Sequence, residues 1–260
     1  MPQSLTPLIQ LIDVDKHFGS NHALKNVSLD IMKGELLALI GPSASGKTLL
    51  LKTIMGLIHP ESGSIKIDGV ETVNDNDIKQ MQMLHRFGVL FQRSALFDSM
   101  KVWENVAFRM LQDKSVSQEE ARERAVTKIV AVGLAATDAD LLPSELSGGM
   151  QKRVGIARAI ATDPEIVFLD EPTAGLDPIM SNVINELVMA NVRELGATAV
   201  IINSDMAGVK QVADRIAMIH EGQIVWTGPA SEAENSGNAY VDQFIHQRAD
   251  GPIKTILEVA

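Results

Sequence analysis

The stretch LSGGMQKRVGIARAIATDPEIVFLDEPTAGLDP, residues 146–178, decides how the rest of the chain is read. Ser147 is a natural helix N-cap, because its hydroxyl can accept from an N–H of the first turn. Gly148 and Gly149 permit close backbone approach. The helix from Met150 then turns the positive end of its dipole toward an anion. EIVFLD (165–170) is apolar without alternation, which predicts a strand buried on both faces. It ends in two carboxylates, Asp170 and Glu171. A strand ending in Asp-Glu is common by chance, so alone the pair specifies no chemistry. Asp177-Pro178 predicts a turn before a long helix.

Upstream, GPSASGKT (41–48) matches G-x-x-x-x-G-K-[ST] between a buried strand, ELLALI, and a helical run, TLLLKTIMGL. Gly41 and Gly46 let the backbone fold tightly, so that N–H groups and a helix N-terminus face a phosphate. Lys47 reaches the β- and γ-phosphates as a mobile point charge, and the Thr48 hydroxyl can ligate Mg²⁺. The whole loop, Gly41, Pro42, Ser43, Ala44, Ser45, Gly46, Lys47, Thr48 and Leu49, is the candidate triphosphate cradle. Beside it, the acidic pair gains meaning. Asp170 would hold Mg²⁺ through its water shell and Glu171 would polarise an attacking water.

The flanking pattern agrees. LIQLIDVD, VSLDI and GSIKIDG read as strands, HRFGVLF as a buried strand, and VWENVAFRML and QEEARERAVTKIVAVGL as helices. Helix PIMSNVINELVMANVREL, strand TAVII, helix GVKQVADR and strands AMIH and QIVWTG follow. Strand–helix alternation implies an α/β fold around a parallel sheet, with an antiparallel start and a helical insertion. The 260 residues suffice for one large or two modest domains, and 45% hydrophobic with 22% charged argues for a globular chain. A net charge of −10 argues against a nucleic-acid partner. The absence of cysteine excludes disulfides and thiolate metal sites. MPQSLTPLIQ lacks a basic n-region and a long apolar run, so no secretory signal is expected there, and no run approaches the ~18–20 apolar residues of a membrane span.

LSGGM followed at this spacing by FLDEP and GLDP resembles the signature-to-Walker-B region of ATP-binding-cassette (ABC) ATPases, and the resemblance covers roughly residues 8–230. It implies an ABC-type P-loop NTPase with a RecA-like mixed-sheet core, an antiparallel β subdomain and an inserted α-helical subdomain. The expected division is residues 1–92 and 160–240 for the core, 93–159 for the helical subdomain carrying the signature, and 241–260 for a C-terminal extension. It implies ATP and Mg²⁺, and a head-to-tail dimer in which Ser147, Gly148 and Gly149 of one copy cover the nucleotide of the other. Phe18, in KHFG, matches the aromatic that stacks on adenine; a core phenylalanine is the alternative. Gln92 matches the Q-loop glutamine that contacts Mg²⁺ and water and reports to the membrane subunit. Asp177 matches the D-loop aspartate that crosses the dimer interface. Met150 stands where many relatives have glutamine.

One departure stands out. The family's strand after the D-loop helix ends in histidine followed by aspartate; here the text is IINSD, so Ser204 replaces the histidine and Asp205 keeps the aspartate. Serine can donate one hydrogen bond but is shorter and never cationic. Losing a well-placed transition-state contact costs ~10²–10³ in rate. Three readings are open: a slow ATPase, ordinary turnover with a substituting group, or an ATP-binding switch that barely hydrolyses. The intact Glu171 supports the expectation that hydrolysis persists.

GVLFQRSALFDSMKVWENVAF, DEPTAGLDPIMS and QFIHQRADGPI resemble cassettes of MCE-associated, Mla-type lipid transport systems. This implies permease subunits seated near Ala95, Leu96 and Phe97, an MCE-domain protein, often a small STAS-domain protein, and a peripheral place on the cytoplasmic face of a bacterial inner membrane. The rival cargo is an amino acid, metal or sugar. The tail from Tyr240 reads as a helix packed on its own domain or as a dimer strap.

Overall fold

The structure is a computed structural model that describes residues 6–73, 83–92, 94–113 and 115–254. Along the chain run β1 (Ile9–Phe18), β2 (Asn21–Ile31), β3 (Leu36–Ile40), α1 (Lys47–Ile54), β4 (Ser62–Ile67), β5 (Val70–Glu71) and β6 (Phe87–Leu90). Then come α2 (Val102–Ala107), α3 (Gln118–Ala131), α4 (Gly148–Ala159), β7 (Ile166–Asp170), α5 (Pro178–Leu195) and β8 (Thr198–Ile202). α6 (Met206–Val212), β9 (Arg215–His220), β10 (Gln223–Pro229) and α7 (Ala239–Ile245) complete it. The chain forms two compact units, residues 1–80 with 209–260, and residues 81–208.

In the first unit, β2, β1, β4 and β5 pair antiparallel in that order. Asp68 and Gly69, both at positive φ, make the tight β4–β5 turn. Irregularities in the β1–β2 register fall after Leu11, Val14 and Lys16, so the hairpin bends toward its tip. β3 lies parallel to β9, which pairs antiparallel with β10. All five β3 side chains are buried. At about 1.5–3 kcal/mol per large aliphatic side chain, this strand is a stiff mount for the loop that follows.

In the second unit, β6, β7 and β8 are parallel, with Asp170 opposite Ile202 at the carboxyl end. The Phe87 and Phe168 rings meet edge to face at 5.3 Å. β6 and α4 approach at glycines: a Cβ on Gly88 would lie 2.0 Å from the Ala159 carbonyl oxygen, and one on Gly155 would lie 2.6 Å from Leu90 Cδ1. At Gly88 the neighbour is backbone, so only a hydrogen side chain permits this spacing, whereas at Gly155 the Leu90 side chain would have to shift. α3 is capped by Ser117, which accepts from Glu120 N–H at 3.2 Å. α5 is capped by Asp177, starts with Pro178 and stops at Gly196, whose φ is 61°.

The helix expected over VWENVAFRML is shorter. α2 ends at Ala107 and a 3₁₀ turn follows at Met110–Gln112. Asn105, fully buried, donates to the carbonyls of Phe97, Met100 and Lys101 and accepts from Phe97 N–H, which ties the helix to the preceding loop. Arg109 donates to the carbonyls of Phe87 and Leu84. These tertiary bonds override the helical period. The last part of the tail, 255–260, lies outside the described residues. Before it, Gln243 accepts from Ile253 N–H at 2.7 Å and donates to its carbonyl at 3.0 Å, folding the chain back on α7.

Candidate active site

The first unit builds a phosphate cradle. Gly41 has φ 145°, and a Cβ there would lie 2.1 Å from the Ile219 carbonyl oxygen. The loop therefore presses against β9, and no other residue type fits. Ala44 (φ 59°) and Gly46 (φ 108°) continue the turn. Gly46 is the N-cap of α1 and brings no side chain to that position. Helix geometry gives the first-turn N–H groups no intrahelical acceptor, which suits an anion. Gly222 N–H donates to the Ser45 carbonyl at 3.0 Å and braces the loop from the far side. The Ser45 hydroxyl is buried and has no hydrogen-bond partner, the mark of a group that a phosphate oxygen would satisfy. Lys47 Nζ lies 2.7 Å from the carbonyls of Gly41 and Pro42.

A cavity of about 610 Å³ opens over this loop, lined by Ala44 to Leu49, Phe18, His22 and Glu221 among others. Phe18 is 53% exposed, so it is not a core residue. Lys16 Nζ sits 5.2 Å from its ring centroid. An exposed ring at the rim of a phosphate cavity is placed to stack on a base.

The second unit builds an acidic corner. Asp170 closes β7 and is buried. Glu171 follows in the left-handed region, φ 51°, its N–H bonded to the Ile202 carbonyl at 2.9 Å. A side chain held there costs of order 1–3 kcal/mol, and such strain collects at functional sites. The Ser204 hydroxyl donates to Glu171 Oε1 at 2.6 Å, and Ser204 N–H lies 3.3 Å from Oε2. Asn203 Oδ1 accepts from Asp205 N–H at 2.9 Å and from the Thr173 hydroxyl at 3.3 Å, fixing the corner that carries Ser204.

Lys152 is a residue the sequence reading passed over. It is buried on α4 and donates to the Gln92 carbonyl and, at 3.3 Å, to the Glu171 carbonyl. Burial pushes its ammonium pKa down, and the carboxylates of Glu171 and Asp170 oppose that shift. A lysine three residues after Gly149, on the apolar side of a helix, was the available signal. Gln92 itself is exposed, as are Ser147, Gly148 and Asp177. Ser147 accepts from Met150 N–H at 3.3 Å, as its cap role requires. Ala95 and Phe97 are exposed beyond Gln92, with the Phe97 ring 4.6 Å from Phe108 and Arg158 bonded to the Ala95 carbonyl at 2.7 Å.

A glycine-braced phosphate loop opening a helix, with an acidic pair ending a buried strand, defines a P-loop nucleoside triphosphatase. Residues 24–174 match the family model described as ABC transporter, and the chain belongs to that family. It is 37% identical to the "Probable ribonucleotide transport ATP-binding protein mkl" of Mycobacterium tuberculosis, covering 94% of this chain and 68% of that one. It is 36% identical to the "Intermembrane phospholipid transport system ATP-binding protein MlaF" of Escherichia coli K12, covering 97% of this chain and 94% of the relative. Among solved structures it is similar to the dimeric ATP-binding cassette MJ0796 bound to ADP and Pi, with TM-score 0.79, 32% identity, and 85% and 98% of the two chains covered. The fold class is therefore α/β, an ABC-type P-loop NTPase, and the chain is a cassette ATPase. No helix among the described residues is long and apolar enough to cross a membrane.

Proposed function

We propose that this chain is the ATP-hydrolysing subunit of a complex that moves phospholipid, or another bilayer lipid, between membranes. The observation that carries the catalytic half is the Glu171 carboxylate, aimed from a strained backbone and held by Ser204. In this reading Lys47 leaves the carbonyls of Gly41 and Pro42 for the β- and γ-phosphates, and the backbone from Gly41 to Leu49, with the Ser45 hydroxyl, wraps the triphosphate. Phe18 stacks on the adenine. Thr48 and Gln92 would hold Mg²⁺ and Asp170 would hold it through its water shell; a hydroxyl, an amide oxygen and a carboxylate are the hard oxygen donors that ion prefers. The ion supplies Lewis-acid stabilisation of charge on the phosphoryl oxygens. Glu171 polarises the attacking water, and Ser204 orients Glu171.

Ser147, Gly148 and Asp177 are exposed and Gly149 is half-buried, and in a head-to-tail dimer the four cover the nucleotide of the second copy. The exposed Ala95 and Phe97 seat the permease. That permease places the chain at the cytoplasmic face of a bacterial inner membrane, with an MCE-domain protein and a small STAS-domain protein in the assembly.

Lipid cargo is favoured over ribonucleotide by near-complete coverage on both sides with the phospholipid-transport relative, 97% and 94%. The wording GVLFQRSALFDSMKVWENVAF supports the same choice. The test is ATP-dependent transfer of a fluorescent phospholipid between vesicles by the chain co-purified with its permease, against a Glu171→Gln control. Transfer of ribonucleotide without lipid would replace the cargo. Turnover no higher than the control would replace hydrolysis by the ATP-binding switch.

A further inference from the structure

Three side chains on the β1–β2 hairpin have no part in the reading above: Asp15, His17 and His22. Asp15 and His17 are two apart on β1, so the pleat sends them to one face. His17 and His22 are partners across the hairpin. Their imidazoles stack, centroids 3.9 Å apart and planes 16° apart. His22 Nε2 lies 2.5 Å from Asp15 Oδ1. One ligating atom from each of the three residues falls within 4.8 Å of the others.

The arrangement is braced. Asp15 Oδ1 also accepts from Asn26 N–H at 3.3 Å, and Oδ2 from the Ser62 hydroxyl at 3.5 Å. Behind His17, its own N–H donates to Glu61 Oε2 at 2.8 Å, and Lys16 Nζ donates to Glu61 Oε1 at 2.7 Å. Second-sphere bonds of this kind orient metal ligands.

We infer that Asp15, His17 and His22 form a binding site for one divalent transition-metal ion, of which Zn²⁺ fits the donor set best. Two imidazoles and a carboxylate suit zinc and not the hard ion of the triphosphate. Zinc takes these ligands at about 2.0–2.2 Å, so the side chains close by small rotations around the ion, which takes the place of the His22–Asp15 contact. Three protein ligands leave a fourth position for water. The ion would bridge the two strands on either side of the Gly19–Ser20 turn. Because Phe18 and His22 both line the nucleotide cavity, the bridge fixes the rim residue beside the base.

The test uses the full chain, freed of metal by chelation and titrated with Zn²⁺ in excess Mg²⁺ without nucleotide, against a chromophoric zinc indicator. It is thus independent of hydrolysis and of cargo. One tight equivalent per chain is expected, weakened roughly tenfold or more in His17→Ala and lost in His17→Ala/His22→Ala. X-ray absorption of the bound ion should show histidine scattering. The His17 side chain is exposed, so its removal leaves the core intact, and equal melting of metal-free wild type and His17→Ala certifies the fold. If His22→Ala unfolds, the single His17→Ala decides. No stoichiometric uptake at micromolar zinc, or undiminished uptake in a folded His17→Ala, overturns the site.

Discussion

The Ser204 hydroxyl donates to Glu171 Oε1 at 2.6 Å while the Ser204 N–H approaches Oε2 at 3.3 Å. Both oxygens of the carboxylate are therefore addressed by one residue. A serine has a single O–H to give. While it is given to Glu171, none is left for a γ-phosphate. On the proposed reading of Glu171 as the base, Ser204 in place of a histidine positions that base and forgoes direct contact with the phosphate.

Replacing Ser204 by alanine should cost turnover without costing nucleotide affinity. A hydrogen bond to a charged group is worth about 1.5–3 kcal/mol, so kcat should fall about tenfold to a hundredfold with KM little changed. Ser204→His, which restores a longer donor, should raise kcat above wild type. Steady-state phosphate release by the purified complex checks both. An alanine variant as fast as wild type would show that Glu171 needs no such support.

Phe18 is argued to touch the base and not the core. Base–aromatic stacking is worth ~1–3 kcal/mol by alanine substitution. Phe18→Ala should weaken ATP and ADP alike, by roughly fivefold to a hundredfold, with an unchanged melting temperature, since the ring is 53% exposed. Equilibrium binding of a fluorescent ATP analogue, beside a melting curve, separates the two effects. A drop in stability with unchanged affinity would return Phe18 to a packing role.

The parts of this site legible in the sequence were those in which residue type and local geometry coincide. Gly41 is needed because a Cβ would strike Ile219, and its place in the phosphate-loop pattern announces the requirement without the partner. Ser147 caps the helix that follows it, as its short polar side chain suggests, and at the Asp177-Pro178 turn the Asp177 carboxylate also caps α5. What was hidden depends on distant chain. Nothing in KHFG tells that His17 will stack on His22, because the register irregularity after Lys16 sets that pairing. The reach of Lys152 to Gln92 depends on how α4 crosses the end of β6. α2 stops at Ala107, against its period, because Asn105 and Arg109 spend their donors on neighbouring backbone.

Lys152 makes a prediction about pH. Its folded pKa lies below that of an ordinary lysine because burial disfavours the ammonium. Between the folded and unfolded values the unfolded chain binds more protons, so this group's contribution to stability increases as pH rises through that window. Urea unfolding of wild type and Lys152→Met from neutral pH to about 10 should show wild type gaining on the variant toward the alkaline end. A difference that stays flat with pH would mean that the ammonium keeps its hydration in the fold.

Dimer closure can be read with a chemical pair that the chain leaves free, since it contains no cysteine of its own. Ser147 is exposed at the start of α4, and Ser43 is exposed in the phosphate loop. On the head-to-tail reading, Ser147 of one copy meets the triphosphate held by the loop of the other. Ser147→Cys with Ser43→Cys, in a Glu171→Gln background that slows reopening, should yield a covalent dimer under oxidation only when ATP and Mg²⁺ are present. Disulfide formation demands Cα atoms within about 7 Å, so a short bismaleimide crosslinker is the companion probe where a nucleotide intervenes. Either single cysteine should give far less product, because a two-fold dimer sets Ser147 opposite the loop and not opposite its own copy. Nucleotide-independent crosslinking, or none with the permease present, would remove the shared site and leave each phosphate loop to work alone.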